Sequence, residues 1–467
     1  MNLIYGIKDK PGKTKVFAFA FQQLLAIMAA TIAVPSIVGH NLSASAALFG
    51  AGVGTIIYLL FTKSASPVFL GSSFAFIGSM FSAFQGAAVM DLAETVGYWG
   101  LIIGAGMAGL VYVIIAIIVK IFGVKWIDKL MPPVIIGPTV AIIGLSLSGN
   151  AVGDLMRSNV LGGSHYVALI CGLFTLAVTM LCSTYGKKIG KLFPFIIGIF
   201  CGYLLASIFA LIGYAIDDPI LAETLTVIDY SALKNLDFKS ITGYISIPRF
   251  TFLLGGKEGF EAITAKYLIT IFTGYVPVAF VVFAEHLADH KNLSAIVGQN
   301  LLEEPGLTRT LLGDGIGTMV STLFGGCPNT TYGESIGCVA ITRNASTVSI
   351  WGCAILCVVF SFLSPLVALL ETIPHCVMGG VCIALYGFIA VSGFKMFQKV
   401  DLNKNKNLFV ASVIFITGVG GMVVSFGAVE IRTVACALIL GILTNAMLSK
   451  EPEEEENEEK TKKSTKK

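Results

Sequence analysis

From residue 16 onward the chain alternates long apolar runs with short polar connections. The first run, 16–38, contains no charged residue. It is too long for the core of a signal peptide and lacks a small-residue cleavage site, so it reads as a membrane span. A bilayer core takes about 20 apolar residues per helix. Fourteen candidates follow along the chain: 16–38, 44–62, 67–84, 98–121, 132–149, 166–184, 192–214, 267–289, 310–326, 327–343, 346–370, 374–394, 407–424 and 432–448. Several are short or interrupted by Pro and Gly. An even count places both chain ends on the same side.

The basic residues orient these spans. With the N-terminus inside, the inside segments carry Lys8, Lys10, Lys13 and Lys15, then Lys63, then Lys120, Lys125 and Lys129. Lys187, Lys188 and Lys191 come next, then Lys291, Arg309 and Arg343, and finally Lys395, Lys399, Lys404 and Lys406. Six more lysines lie in the C-terminal tail, whereas the short outside loops carry only Arg157 and Arg432. Cytoplasmic loops are enriched in Lys and Arg, so both termini are expected in the cytoplasm, with the chain in the cell membrane.

Composition narrows the class. The 467 residues are 55% hydrophobic and 13% charged, about half the charge of a soluble domain, and the mean hydropathy is +0.84. This excludes a soluble multidomain enzyme, a disordered chain and a nucleic-acid binder. The 51 glycines suit membrane helices whose backbones approach closely. The ten cysteines are scattered through apolar runs without a CxxC and read as buried free thiols. The end of the chain, from Glu451 to Lys467, is an acidic block followed by a basic one and reads as solvated and disordered. The expected organisation is a cytoplasmic segment 1–15, seven spans over 16–214, an extracellular connection 215–266, seven more spans over 267–448 and a tail 449–467.

Two sets of seven spans must enter the membrane in opposite senses, which defines an inverted repeat. Pro132-Pro133-Val134-Ile135-Ile136-Gly137 in the fifth candidate echoes Pro374-His375-Cys376-Val377-Met378-Gly379 in the twelfth. More telling, Pro67-Val68-Phe69-Leu70-Gly71-Ser72-Ser73-Phe74 opens the third candidate and Cys327-Pro328-Asn329-Thr330-Thr331-Tyr332-Gly333-Glu334 opens the tenth. Both stretches are polar and hold helix-breaking residues. Irregular backbone at membrane depth persists only where it is buried in protein or lines a cavity, and a matched pair of such segments points to a transporter site.

Acidic residues mark the same region. Glu285 and Asp289 are four apart, on one helical face, and Glu334 follows the second broken stretch. Carboxylates within a span cost several kilocalories and mark substrate or proton paths. His286 and His290 share a spacing that suits zinc, but no HExxH occurs, so no metal or cofactor is expected. Asp314 follows Gly313 near an expected helix start, where a capping role is the simpler reading.

At these residues the sequence resembles the nucleobase–ascorbate transporter family, and its uracil branch in particular. The matching stretches are Gln22-Gln23-Leu24-Leu25-Ala26, Leu70-Gly71-Ser72-Ser73-Phe74-Ala75-Phe76-Ile77, Ala284-Glu285-His286, Pro305-Gly306-Leu307, Pro328-Asn329-Thr330-Thr331-Tyr332-Gly333-Glu334, Ala340-Ile341-Thr342-Arg343 and Val377-Met378-Gly379-Gly380. The resemblance implies an all-α polytopic fold of two inverted seven-span repeats, divided into core and gate domains, with short strands in the third and tenth spans. It implies substrate binding by Phe74, Glu285, Tyr332, Gly333 and Glu334, and a homodimer. As carboxylates placed within a span, Glu285 and Asp289 are expected to carry the coupling proton, with Gln22, Ser73 and Ser335 expected in support. The sequence departs from the family where Ser335 replaces a common Asn and Gln22-Gln23 replaces Gln-His.

The expected activity is import of a small nucleobase, uracil, by symport with H⁺ or Na⁺ through alternating access. Uracil offers two N–H donors and two carbonyl acceptors, which carboxylates and backbone N–H groups complement. A xanthine or urate carrier, an anion exchanger of the same fold and an ion channel are the alternatives. Nothing in the sequence pairs a nucleophile with a base, so no enzyme is expected.

Overall fold

The computed structural model describes residues 3–448 apart from 125, 127–130, 188–189, 192, 217, 399 and 427–428. The expected tail 449–467 lies outside the described residues, as do Lys125, Lys129, Lys188 and Lys399 of the basic loops. The first half contains α1 (Lys13–Val38), α2 (Ala44–Phe61), β1 (Leu70–Ser72), α3 (Ile77–Val89), α4 (Glu94–Phe122), α5 (Pro133–Ser146), α6 (Ser148–Leu155), α7 (His165–Tyr185) and α8 (Pro194–Ala215). Beyond a connection with short helical turns come α9 (Thr251–Glu261), α10 (Ala265–Val297), α11 (Leu307–Gly325), β2 (Asn329–Thr331), α12 (Gly333–Thr342), α13 (Thr347–Ser361) and α14 (Ser364–Glu371). The chain closes with α15 (His375–Phe397), α16 (Asn405–Val419), β3 (Val424–Phe426), β4 (Val429–Ile431) and α17 (Thr433–Met447).

The protein is mostly helical, and among the described residues eight helical segments are long and apolar enough to cross a membrane. Four further apolar helices, 74–89, 347–361, 405–419 and 433–447, are shorter. Two of the differences from the expected boundaries bear on the site and its surroundings. The segment 346–370 is two helices, because Pro365 sits in the first turn of α14, where its missing N–H costs nothing. The eighth candidate does not end at Asp289: α10 runs on to Val297, so its acids lie within the helix and not at its end.

The helices pack in two sets. α2 packs against α11 and α13, α11 and α10 pack against α4, and α1 packs against α13. In the second set α15 packs against α5 and α7, α7 against α8, and α16 against α5 and α17. Small residues make close crossings between helices. On α2 and α11, Gly54 and Gly317 face each other so tightly that a Cβ at Gly317 would lie 2.9 Å from the Gly54 carbonyl oxygen. Without a hydrophobic drive inside lipid, such backbone contact supplies the van der Waals gain that joins helices.

The connection lies across one end of the helices. Ser246 N–H donates to the Phe362 carbonyl at 2.9 Å, Arg249 bonds Glu371 at 2.8 Å, and Trp99 Nε1 donates to the Gly256 carbonyl at 2.8 Å.

Candidate substrate site

The site is built on backbone that cannot be helical. Pro67 and Pro328 lack N–H donors, and the residue before a proline is pushed toward extended geometry. The two stretches solve the resulting hydrogen-bonding problem by pairing with each other. β1 and β2 are antiparallel, with Leu70 opposite Thr331, Gly71 opposite Thr330 and Ser72 opposite Asn329. The pairing extends at both ends: Tyr332 N–H donates to the Phe69 carbonyl at 3.2 Å and Ser73 N–H to the Pro328 carbonyl at 2.8 Å.

In an antiparallel ladder alternate residues turn their backbone groups outward, and here side chains meet them. The Thr55 hydroxyl accepts from Leu70 N–H at 2.9 Å and donates to its carbonyl at 3.2 Å. Thr318 donates to the Asn329 carbonyl at 2.6 Å, and the Tyr332 hydroxyl donates to the Ser72 carbonyl at 2.7 Å. Tyr332 folds over Gly71, where any side chain would run into its ring. The two-stranded sheet is therefore sealed within the fold.

A cavity of about 370 Å³ opens beside this sheet, within the size range of small-molecule sites. One wall is polar: Ser73, Phe74, Tyr332, Gly333 and Glu334 contribute from the strand ends, and Glu285 and Asp289 from α10. The opposite wall is apolar, formed by Val140 of α5, Phe195 of α8, and Leu385, Phe388 and Ile389 of α15. A helical turn starts at Phe74 and α12 starts at Gly333. The first N–H groups of a helix have no partner within it and carry partial positive charge. Two such termini meet at the cavity together with three carboxylates. The arrangement offers donors and acceptors side by side, facing apolar side chains, which suits a small polar molecule with an apolar face.

The structure thus gathers Ser73, Phe74, Glu285, Asp289, Tyr332, Gly333 and Glu334 around one space. Gln22 and Ser335 are not on its wall. Ser335 is fully buried, accepting from Gln23 Nε2 at 2.5 Å and from Phe69 N–H at 3.0 Å. Its place is behind the sheet, where it joins α1 to the strand ends. The expected cap at Asp314 is corrected: Asp314 lies eight residues into α11, and its Oδ2 sits 2.6 Å from His286 Nδ1.

Sequence reading missed three contributors. Thr331 donates to Asp289 Oδ2 at 2.7 Å and aims that carboxylate. Gln23, rather than Gln22, carries the tie to Ser335. The apolar wall from α5, α8 and α15 carries no sequence signal, because its residues resemble every other membrane-facing side chain. Among the described residues no group of three His, Cys, Asp or Glu side chains is placed to hold a metal ion.

Apolar helices around a mid-fold polar cavity, walled by two interrupted helices, define a multi-pass membrane carrier. Comparison with known proteins narrows the class. A sequence profile described as "Permease family" (Xan_ur_permease) matches residues 14–426. The chain belongs to this family, the nucleobase–ascorbate transporters. It is 36% identical over 458 residues to a uracil permease of Bacillus subtilis (strain 168), covering 96% of each chain. It is also 36% identical over 440 residues to a uracil permease of Escherichia coli (strain K12), covering 94% of this chain and 92% of the relative. These relatives are permeases, which are transporters and not enzymes.

The fold also matches solved structures of low sequence identity. The transmembrane domain of the cyanobacterial bicarbonate transporter BicA aligns with a TM-score of 0.62 at 15% identity, over 94% of this chain and 100% of that one. The murine anion transporter Slc26a9, solved in an inward-facing state, aligns with a TM-score of 0.62 at 11% identity, over 95% of this chain and 69% of that one.

Proposed function

We propose that this chain imports uracil across the cell membrane, driven by an inward proton gradient and working by alternating access. The observation that carries the reading is the convergence of Glu285, Glu334 and the helix starts at Phe74 and Gly333 on one cavity. Glu334 accepts from ring N–H groups, while the Phe74 and Gly333 N–H groups donate to ring carbonyls. Glu285 exchanges the coupling proton, with Asp289 beside it. The ring lies between the strand ends and the apolar wall.

In this reading the set α1–α4 with α10–α13 is the core and the set α5–α8 with α15–α17 is the gate. The helices and the two interrupted segments make fourteen spans in two inverted sevens, with both termini cytoplasmic and two copies forming a homodimer. The cavity reaches Lys191 and Met396, beside loops expected in the cytoplasm, so this is an inward-open arrangement. Names of full-length relatives support the substrate class, and the donor–acceptor pattern of the wall supports a pyrimidine dione.

The decisive experiment is radiolabelled uracil uptake into proteoliposomes with and without an inward proton gradient, with xanthine and urate as competitors. Accumulation that follows the gradient and yields only to uracil supports the proposal. Uptake indifferent to both pH gradient and protonophore removes proton symport, and displacement by xanthine instead reassigns the substrate.

A further inference from the structure

Residues 3–9 precede the stretch matched by the family profile, which starts at residue 14, and the transport scheme gives them no role. They are nonetheless tied down along their length. The Ile4 and Tyr5 N–H groups both donate to the Arg343 carbonyl, at 2.8 and 3.3 Å. Ala345 N–H donates to the Tyr5 carbonyl at 2.9 Å and Thr347 N–H to the Ile7 carbonyl at 3.2 Å. The Thr347 and Ser346 hydroxyls add bonds to the Ile7 and Asp9 carbonyls at 3.1 and 2.6 Å. The segment thus runs parallel to 343–347, with Tyr5 paired to Asn344. Asp9 folds its end back by accepting from Gly6 N–H at 2.7 Å.

This segment reaches the site through α12. That helix has ten residues, about 15 Å of length, and a helix so short is marginal by itself. Its first two residues, Gly333 and Glu334, are cavity wall. Its other end stops at Arg343, which is left-handed with φ 55°, and the Arg343 carbonyl is the acceptor that Ile4 and Tyr5 share. Ile7 is buried in an apolar cluster separate from the main core. That cluster draws Ile336 and Val339 from α12, Leu293 from α10 and Leu70 from β1. Ile336 stands just beyond Glu334, and Leu293 one helical turn beyond Asp289. The elements gathered around Ile7 are therefore those that carry the cavity carboxylates and lead to Phe74. By contrast, the Lys8–Glu304 pair at 3.7 Å is exposed on both sides and adds little.

We propose that residues 3–9 are a positioning strap for the substrate site, with Ile7 the wedge that fixes α12 against α10. The proposal rests on the reading of the cavity as the uracil site and names what holds its carboxylates at their spacing. Residues 3–9 do not line the cavity themselves, so they act through α12. A ligand gripped from two helices binds tightly only when the gripping groups are already in register, because ordering them at the moment of binding lowers affinity. The strap orders α12 during folding instead. Without it the Arg343 carbonyl loses both donors and the cluster loses its wedge. The last turn of α12 then frays, and the loosening passes along a helix of three turns to Glu334 and the Gly333 N–H.

The test compares the full chain with Ile7→Asp, which puts a charge into the apolar cluster and releases the strap, and with a chain lacking residues 3–9. Uracil affinity by calorimetry is expected to fall roughly tenfold in both, and amide hydrogen exchange in α12 to quicken roughly tenfold or more while α4 and α11 exchange as before. Ile7→Val keeps an apolar wedge and is expected to stay within about twofold of the unmodified chain in both readouts. Undiminished affinity in Ile7→Asp and in the shortened chain overturns the proposal. So does exchange that quickens equally throughout α4, α11 and α12, which marks general destabilisation and no positioning of α12. If neither variant folds, Ile7→Ala takes their place, and α12 exchange and uracil affinity equal to the parent's overturn the proposal. An unmodified chain that does not bind uracil ends both the site reading and this proposal, whereas uracil binding left intact by the variants ends this proposal alone.

Discussion

Thr55 holds the site together through a single hydroxyl, and its removal tests the account of the two-stranded sheet. Thr55 and Leu70 are both fully buried, and the hydroxyl is at once acceptor for Leu70 N–H and donor to its carbonyl. Thr55→Val keeps the shape and strips both bonds. An unsatisfied buried backbone group costs about 1–3 kcal/mol, so two cost about 2–6 kcal/mol, with the lower half expected because the strand can shift slightly toward other donors. That shift also moves Phe74, four residues on, so affinity for uracil is expected to fall with stability. Thr55→Ser retains the hydroxyl and is expected to recover most of both, losing only the methyl contact. The assay is thermal unfolding in detergent together with uracil binding by calorimetry. A Thr55→Val protein as stable as the unmodified chain, with undiminished binding, would falsify the claim that side chains seal the outer edge of the sheet.

Four shorter predictions accompany it. Glu334→Ala removes a carboxylate from the cavity wall; charge-assisted bonds contribute about 1.5–3 kcal/mol, so uracil binding should weaken about tenfold or more, and calorimetric affinity equal to the parent's would withdraw Glu334 from the site. Glu285→Gln should blunt the response of uptake to a proton gradient while counterflow persists, and an intact response would move the coupling elsewhere. Thr331→Val frees Asp289 from its 2.7 Å bond and should change the uptake pH profile more than the affinity; the reverse pattern would make Thr331 a substrate contact. Gly317→Leu forces apart α2 and α11, which touch backbone to backbone at Gly54, and should abolish folded, monodisperse protein in detergent extracts; normal yield and melting would refute close packing there.

Several of these outcomes turn on positions that the sequence pointed to without explaining. The helix-breaking runs at 67–76 and 327–334 were legible because proline, glycine and hydroxyl residues are costly in a bilayer unless used. The same argument picked out Glu285, Asp289 and Glu334. It failed at Asp314, where proximity to a glycine suggested a cap. A cap and a buried hydrogen-bond partner look alike in one dimension, and only the approach of α10 to α11 brings His286 within 2.6 Å of that carboxylate.

What the sequence determined by itself is the solvent and the material: a chain with this hydrophobic content has nowhere to go but lipid, and its polar interruptions must be sheltered. Hydropathy and the basic loops are local quantities, readable residue by residue. What only the tertiary structure decided is who meets whom. The pairing of Gly71 with Thr330 across 259 positions, the seating of Ser335 behind the sheet rather than at the cavity, and the apolar wall from α5, α8 and α15 all depend on how helices cross. Crossings are set by the fit of many small surfaces at once, so no single stretch of the chain carries them.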